Sequence, residues 1–170
     1  MHSTRRFMLT VAVMASLATL TVPNAYAQPT AALSVAQARA VIAPFYDALN
    51  AAPGRDAAAL IISATSPEFQ SCGDNEDCSP RYKVASNISG FTKAVPDLKW
   101  EIKEVLVSGD RVIVRGEASG TPAGAFMGVP HGGKHFKIMS IDVHTIRDGK
   151  IVRAYHIEDW MGAARQLNAK

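Results

Sequence analysis

Beyond its first 27 residues the chain has no apolar run near the ~20 residues needed to span a bilayer, so a helical membrane protein is excluded for that part. Only two of its 170 residues are cysteine, Cys72 and Cys78, too few for a thiolate metal cluster. Lysine and arginine never gather into a run or stripe that could follow a phosphate backbone, which argues against a nucleic-acid partner. No internal repeat and no low-complexity tract is present. Net charge of one sign is nearly absent as well. The formal +3 includes Arg5 and Arg6, and without them 16 basic groups face 15 acidic ones.

What is present begins with a targeting pattern. Arg5 and Arg6 precede an apolar stretch from Phe7 to about Val22, and Ala25-Tyr26-Ala27 supplies the small-x-small cleavage pattern. Residues 1–27 therefore read as a signal peptide and residues 28–170 as one domain, exported to the bacterial periplasm or secreted. "TRRFML" partly matches a twin-arginine signal, and the choice of export route stays open. In an oxidising compartment Cys72 and Cys78 are expected to form a disulfide around "GDNED", with Asp74, Glu76 and Asp77 in a solvated loop.

The periodicity changes once along the chain. Ser34 is a helix cap, and Val35, Ala38, Val41, Ile42, Phe45 and Leu49 recur at helical spacing up to Pro53-Gly54. Short helices are predicted over about Arg55 to Ile62 and from Ser79-Pro80 to about Ala94. From Leu98 onward the pattern alternates, giving two hairpins separated by the Gly/Pro-rich "GTPAGAFMGVPHGG". Helices first and strands after predict an α+β fold, with N-terminal helices packed on a curved antiparallel sheet that encloses an apolar pocket.

Asp148-Gly149 is the favoured pair for a two-residue type I′ turn. Unbroken pairing from that turn sets Arg147 against Lys150 and places Ser140, Asp142, His144, Tyr155, Ile157 and Asp159 on one face. The opposite face takes Met139, Ile141, Val143, His156 and Glu158, so His156 and Glu158 read as surface or interface. A one-residue slip would exchange the faces. Apolar walls with a few convergent polar groups describe a ligand cavity.

The run "GTPAGAFMGVPHGGK", followed by "DGKIVRAYHIEDWMGAARQL", resembles the SnoaL-like polyketide cyclase (ester cyclase) family of the NTF2-like superfamily. Gly120-Thr121, Gly124, Phe126, Gly128, Pro130, Asp148 to Ile151, Tyr155, Asp159 and Gln166-Leu167 carry the likeness, and "FYDALN" and "VPDLKWEI" extend it over nearly the whole domain. The resemblance implies a cone-shaped α+β barrel around a hydrophobic pocket. It also implies an intramolecular aldol closure without metal or cofactor, with Asp159 as general acid/base and His144 as its partner. Tyr155, Asp142, Ile157, Ser140, Tyr46 and Phe126 are the expected substrate-contacting residues. The expected partners are a small apolar carbonyl compound and, through the outer sheet face, a second copy of the chain in a homodimer.

A carboxylate in an apolar cavity has its pKa raised by desolvation, which suits proton transfer at neutral pH. Asp159 also stands where a helix over Met161 to Leu167 would begin, and capping that helix is its competing role. His131 and His135 have ligand-like spacing but straddle a glycine turn with no third ligand, so no metal is expected. An enzyme, a periplasmic binding module for a hydrophobic ligand and an assembly subunit are all compatible with these residues.

Overall fold

The computed structural model describes residues 33–50, 52 and 54–169, and the expected signal peptide lies outside the described residues. The elements are α1 (Val35–Ala48), α2 (Ala57–Ala64), β1 (Thr65–Cys72), β2 (Cys78–Pro80), α3 (Arg81–Ala94), β3 (Lys99–Ser108), β4 (Arg111–Gly120), β5 (Phe136–Arg147), β6 (Lys150–Glu158) and α4 (Trp160–Asn168). Among the described residues, no helix is long and apolar enough to cross a membrane.

Local sequence accounts for the element ends. Ser34 and Gln37 form a reciprocal capping box at α1, each side chain bonding the other's backbone N–H. Pro80 stands at the N-cap of α3, where a missing N–H breaks no bond within the helix. Asp148 (φ 51°) and Gly149 (φ 68°) both adopt the left-handed conformation that the β5–β6 type I′ turn requires.

The six strands run in the order β2-β1-β6-β5-β4-β3. The α+β class is as expected, but the sheet is mixed rather than antiparallel, because β1 lies parallel to β6. Alternation did not reveal β1 and β2. They flank the Cys72–Cys78 disulfide, which staples the β1–β2 connection. Helices α1 and α3 pack across one side of the sheet, touching β3 and β6 and touching β1 respectively, while α4 packs on β5. The core gathers Ala38, Ile42, Phe45, Ile61, Phe69, Val112, Val114 and Phe136 between these layers.

Two β-bulges correct the expected faces. Along β5–β6, Arg147 pairs with Lys150 and Ile146 with Ile151, but Thr145 then pairs with Arg153, leaving Val152 as an extra residue. Every later β6 side chain is thereby turned over. Asp142 now faces His156 and Ser140 faces Glu158, whereas Ile141 faces Ile157 and Val143 faces Tyr155. Along β3–β4 the extra residue is Lys103, which leaves Val105 buried and Leu106 55% exposed. Close packing of β3 on β4 depends on Gly116, where an added Cβ would lie 2.6 Å from Ser140 Oγ and 3.0 Å from Trp100 Nε1.

Candidate functional site

A cavity of about 440 Å³ lies between the inner sheet face and the helices. Phe45 and Leu49 of α1, with Val84, Ile88 and Phe91 of α3, supply an apolar wall. Trp100 and Trp160 complete it, and their indole N–H groups are anchored, Trp100 to Ser140 Oγ at 3.2 Å and Trp160 to Glu158 Oε2 at 3.1 Å. Asp142, His156 and Glu158 enter from neighbouring strands, and Asp74 and Asp77 enter from the disulfide-closed loop.

Asp142 is the most confined of these acids, only 4% exposed. Its Oδ2 accepts a hydrogen bond of 3.0 Å from the Tyr46 hydroxyl, and Oδ1 has no hydrogen-bond partner among the described residues. Burial pushes the Asp142 carboxyl up to about 7, reinforced by the negative charge of Glu158 and opposed by the Tyr46 hydrogen bond and by His156. Asp142 can therefore both release and take up a proton near neutrality.

Tyr46 also lies 2.9 Å from His144 Nε2. The Tyr46 hydroxyl has one proton, and an ionised Asp142 can only accept. Tyr46 therefore donates to Asp142 and receives from His144, which assigns the Nε2–H tautomer and leaves Nδ1 as the bare acceptor. His144 Nδ1 indeed has no partner among the described residues. Complete burial holds the His144 imidazole neutral, lowering it to about 3, with His156 adding to the effect. Burial likewise raises the Tyr46 phenol well above its ordinary value, followed by the effect of Asp142.

Directly across from Asp142, His156 is held by Glu158, whose Oε1 lies 3.0 Å from Nδ1. That bond raises the His156 imidazole above its ordinary value against the opposing effect of burial. His156 Nε2 has no partner among the described residues and is available to an oxygen in the cavity. The lining thus joins a buried acid/base to an imidazole held by a carboxylate, whose Nε2 donates when the ring is protonated.

Several expected site residues lie elsewhere. Asp159 is the N-cap of α4: its Oδ1 accepts the Gly162 N–H at 2.7 Å, its Oδ2 lies 3.7 Å from Arg165, and its side chain is 52% exposed. Tyr155 and Ile157 sit on the outer face, Ile157 being 68% exposed. The placements of Tyr155 and Ile157 follow from the extra residue at Val152, whereas Asp159 lies past the end of β6 and caps α4 locally. Phe126 does not line the cavity; it packs between Phe91, Phe136 and Trp160 behind the wall. Ser140 and Tyr46 share the inner side but serve as anchors, Ser140 for Trp100 and Tyr46 for Asp142. His131 bonds the Pro122 carbonyl and His135 lies 3.1 Å from the Thr121 hydroxyl, well apart from the cavity lining.

The cavity-lining pair expected on the outer face is His156 and Glu158. One signal was available: unbroken pairing placed the charged Arg153 on the inner face and the small Ala154 outside. The bulge reverses them, leaving Arg153 exposed and Ala154 1% exposed. Asp74 and Asp77 carried no such signal, because nothing local places a disulfide loop over a cavity formed by α1, α3 and β6.

Comparison with known proteins agrees with this architecture. The family profile described as SnoaL-like polyketide cyclase matches residues 44–167, most of the chain. The chain belongs to that family. No curated protein sequence matches. Among solved structures, TsrD from Streptomyces laurentii superposes with a TM-score of 0.69 at 24% identity, over 81% of this chain and 99% of its own. Wild-type IdmH from Streptomyces antibioticus gives 0.65 at 26% identity over 76% and 97%. A SnoaL-like polyketide cyclase from Agrobacterium tumefaciens gives 0.62 at 19% identity over 75% and 95%, a likeness of fold alone. Within this SnoaL-like chain, the cone fold and cyclase- or isomerase-type chemistry in general are the shared features.

Proposed function

We propose that this SnoaL-like protein performs proton-transfer chemistry on an apolar, carbonyl-bearing small molecule, ending in ring closure or isomerisation. The observation that carries the reading is Asp142, a nearly fully buried carboxyl with one free oxygen on the apolar cavity. Ionised Asp142 takes a proton from the carbon next to the substrate carbonyl, and the C–H electron pair becomes the C=C of an enolate. Protonated His156, favoured by its bond to Glu158, donates Nε2–H to the enolate oxygen as its charge develops. The enolate carbon then attacks a second carbonyl of the same molecule and Asp142 returns the proton to the alkoxide formed there, or a conjugated dienolate takes the proton back from Asp142 at a different carbon. His144 acts as a positioning residue, fixing Tyr46 and through it Asp142.

The test uses β-tetralone in deuterated buffer, with NMR following exchange of its α-protons. The wild-type protein accelerates exchange and Asp142→Asn does not. Exchange unaffected by that substitution sinks the assignment. Saturable tetralone binding without accelerated exchange favours the non-catalytic binding module.

Export is part of the proposal, supported by the N-terminal targeting pattern and by a Cys72–Cys78 disulfide of the kind that persists in oxidising compartments. By chain entropy, closing so short a loop is worth about 2 kcal/mol. The double variant Cys72→Ser/Cys78→Ser is expected to lose about that much in urea denaturation; an unchanged midpoint would show that the β1–β2 staple contributes nothing.

The outer sheet face supports self-association. Ile141 pairs with Ile157 and Val143 with Tyr155 across β5–β6, and Met139 (57% exposed) and Ile157 extend an apolar strip. A homodimer through this strip should dissociate in Ile157→Lys, read by light scattering after gel filtration. A wild-type protein that elutes as a monomer at every concentration rules the dimer out.

A further inference from the structure

The cavity is acidic out of proportion to the chain. Four carboxylates line it (Asp74, Asp77, Asp142 and Glu158), while neither lysine nor arginine does, although the whole chain carries 18 lysines and arginines against 15 acids. The one basic group in the lining, His156, is already bonded to Glu158. Negative charge at Asp74 and Asp77 is therefore left without a protein counter-ion among the described residues. Asp74 and Asp77 hold a fixed relation, because Asp74 Oδ1 accepts the backbone N–H groups of Glu76 at 2.8 Å and Asp77 at 2.6 Å inside the Cys72–Cys78 loop.

Two further observations point to what this field would meet. Deep in the cavity, Asp142 keeps one oxygen unpartnered while nearly fully buried. Phe45, Phe91, Trp100 and Trp160 line the same space with aromatic rings, both indoles held by hydrogen bonds. Aromatic faces attract a cation and tolerate an apolar body; unpaired carboxylates repel a carboxylate or phosphate and attract an ammonium. A cavity for a neutral ligand would need no acidic rim, and one for an anionic ligand would carry lysine or arginine.

We propose that the cavity of this protein takes an apolar molecule bearing a protonated amine, whose ammonium is held at the Asp74–Asp77 rim while its body lies against the aromatic wall. The proposal rests on the acid–base reading above, since Asp142 then meets the carbonyl end of the same molecule. The rim acids select the substrate, and Asp142 reacts with it.

Trp100 and Trp160 are the chain's two tryptophans and both line the cavity, so tryptophan emission reports occupancy. Phenylbutylammonium, phenylbutanol and phenylbutanoate, of like size and different charge, are titrated into the purified protein. The ammonium is expected to bind about tenfold more tightly than the alcohol, with the carboxylate weakest. That preference should shrink several-fold in high salt and in Asp77→Asn, a substitution on an exposed loop that can be checked for folding by its melting temperature. Equal or tighter binding of the alcohol or the carboxylate overturns the cationic ligand and leaves the cavity's acid–base role standing. A preference unchanged in both Asp77→Asn and Asp74→Asn overturns the rim as its source. Binding of none of the three overturns the cationic ligand, while β-tetralone exchange decides the acid–base reading separately.

Discussion

The Asp142→Asn variant is expected to melt higher than the wild-type protein at about pH 8 and to lose proton exchange by a factor of about 10² or more. The sign follows from burial. The folded state holds Asp142 at about 7, well above the ordinary aspartate value of 3.8, so the fold favours its protonated form. Stability associated with that preference is fully present below the ordinary value and is lost as pH rises through about 7. The loss is about 2–4 kcal/mol once the carboxyl is ionised. Asparagine keeps an oxygen to accept the Tyr46 hydroxyl and removes the buried charge. His144 runs the other way, since its folded value of about 3 lies below the ordinary 6.5 and its contribution is lost as the solution is acidified. Among the groups facing Asp142, Tyr46, His144, His156 and Glu158, the His144 effect largely cancels that of Asp142 in the wild type between about pH 4 and pH 6.5. The advantage of Asp142→Asn should thus be absent near pH 4 and grow to about 5 °C or more above pH 7. Melting curves of both proteins across that range decide it, and a pH-independent difference would mean that the carboxyl does not titrate as a buried group.

Tyr46→Phe should be destabilising by about 3 kcal/mol and should move the acid limb of the exchange profile to higher pH. The hydroxyl is hydrogen-bonded to both Asp142 Oδ2 and His144 Nε2. Removing it strands two buried polar groups and, at His144, leaves both ring nitrogens unpaired. The Tyr46 hydrogen bond also favours the ionised carboxylate, so its loss raises Asp142 further and the base becomes available only at higher pH. A stability loss with an unmoved acid limb would reduce Tyr46 to a packing residue. An unmoved limb together with unchanged stability would remove the triad altogether.

Both effects concern residues whose role in the site was only partly legible beforehand. Asp142 was visible as a polar group on an apolar face, and Tyr46 as an expected substrate contact. Neither the buried triad they form with His144 nor the raised carboxyl could be read, because both depend on α1 crossing β5. The turn at Asp148-Gly149 was legible and forms as expected. The register beyond it was not, since pairing sums assume an unbroken ladder and one extra residue at Val152 inverts every face after it. Asp159, the leading catalytic candidate, takes the competing role of helix cap that the local sequence offers, and the inversion brings Glu158 to the cavity instead.

The sequence by itself determined the helices through capping and apolar period, the two C-terminal hairpins through alternation and turn chemistry, the α+β class, the cysteine pair and the family. These depend on interactions among near neighbours, or on motifs whose order in the chain is their content. Tertiary structure decided the rest: the parallel placement of β1 against β6, the two bulges, the arrival of Asp74 and Asp77 at the cavity, and the identity of the buried acid. Each of these depends on which distant surfaces must be covered together. A bulge forms where twisted strands have to keep apolar side chains under the helices, and a carboxyl reaches about 7 only when elements far apart in the chain exclude water from it.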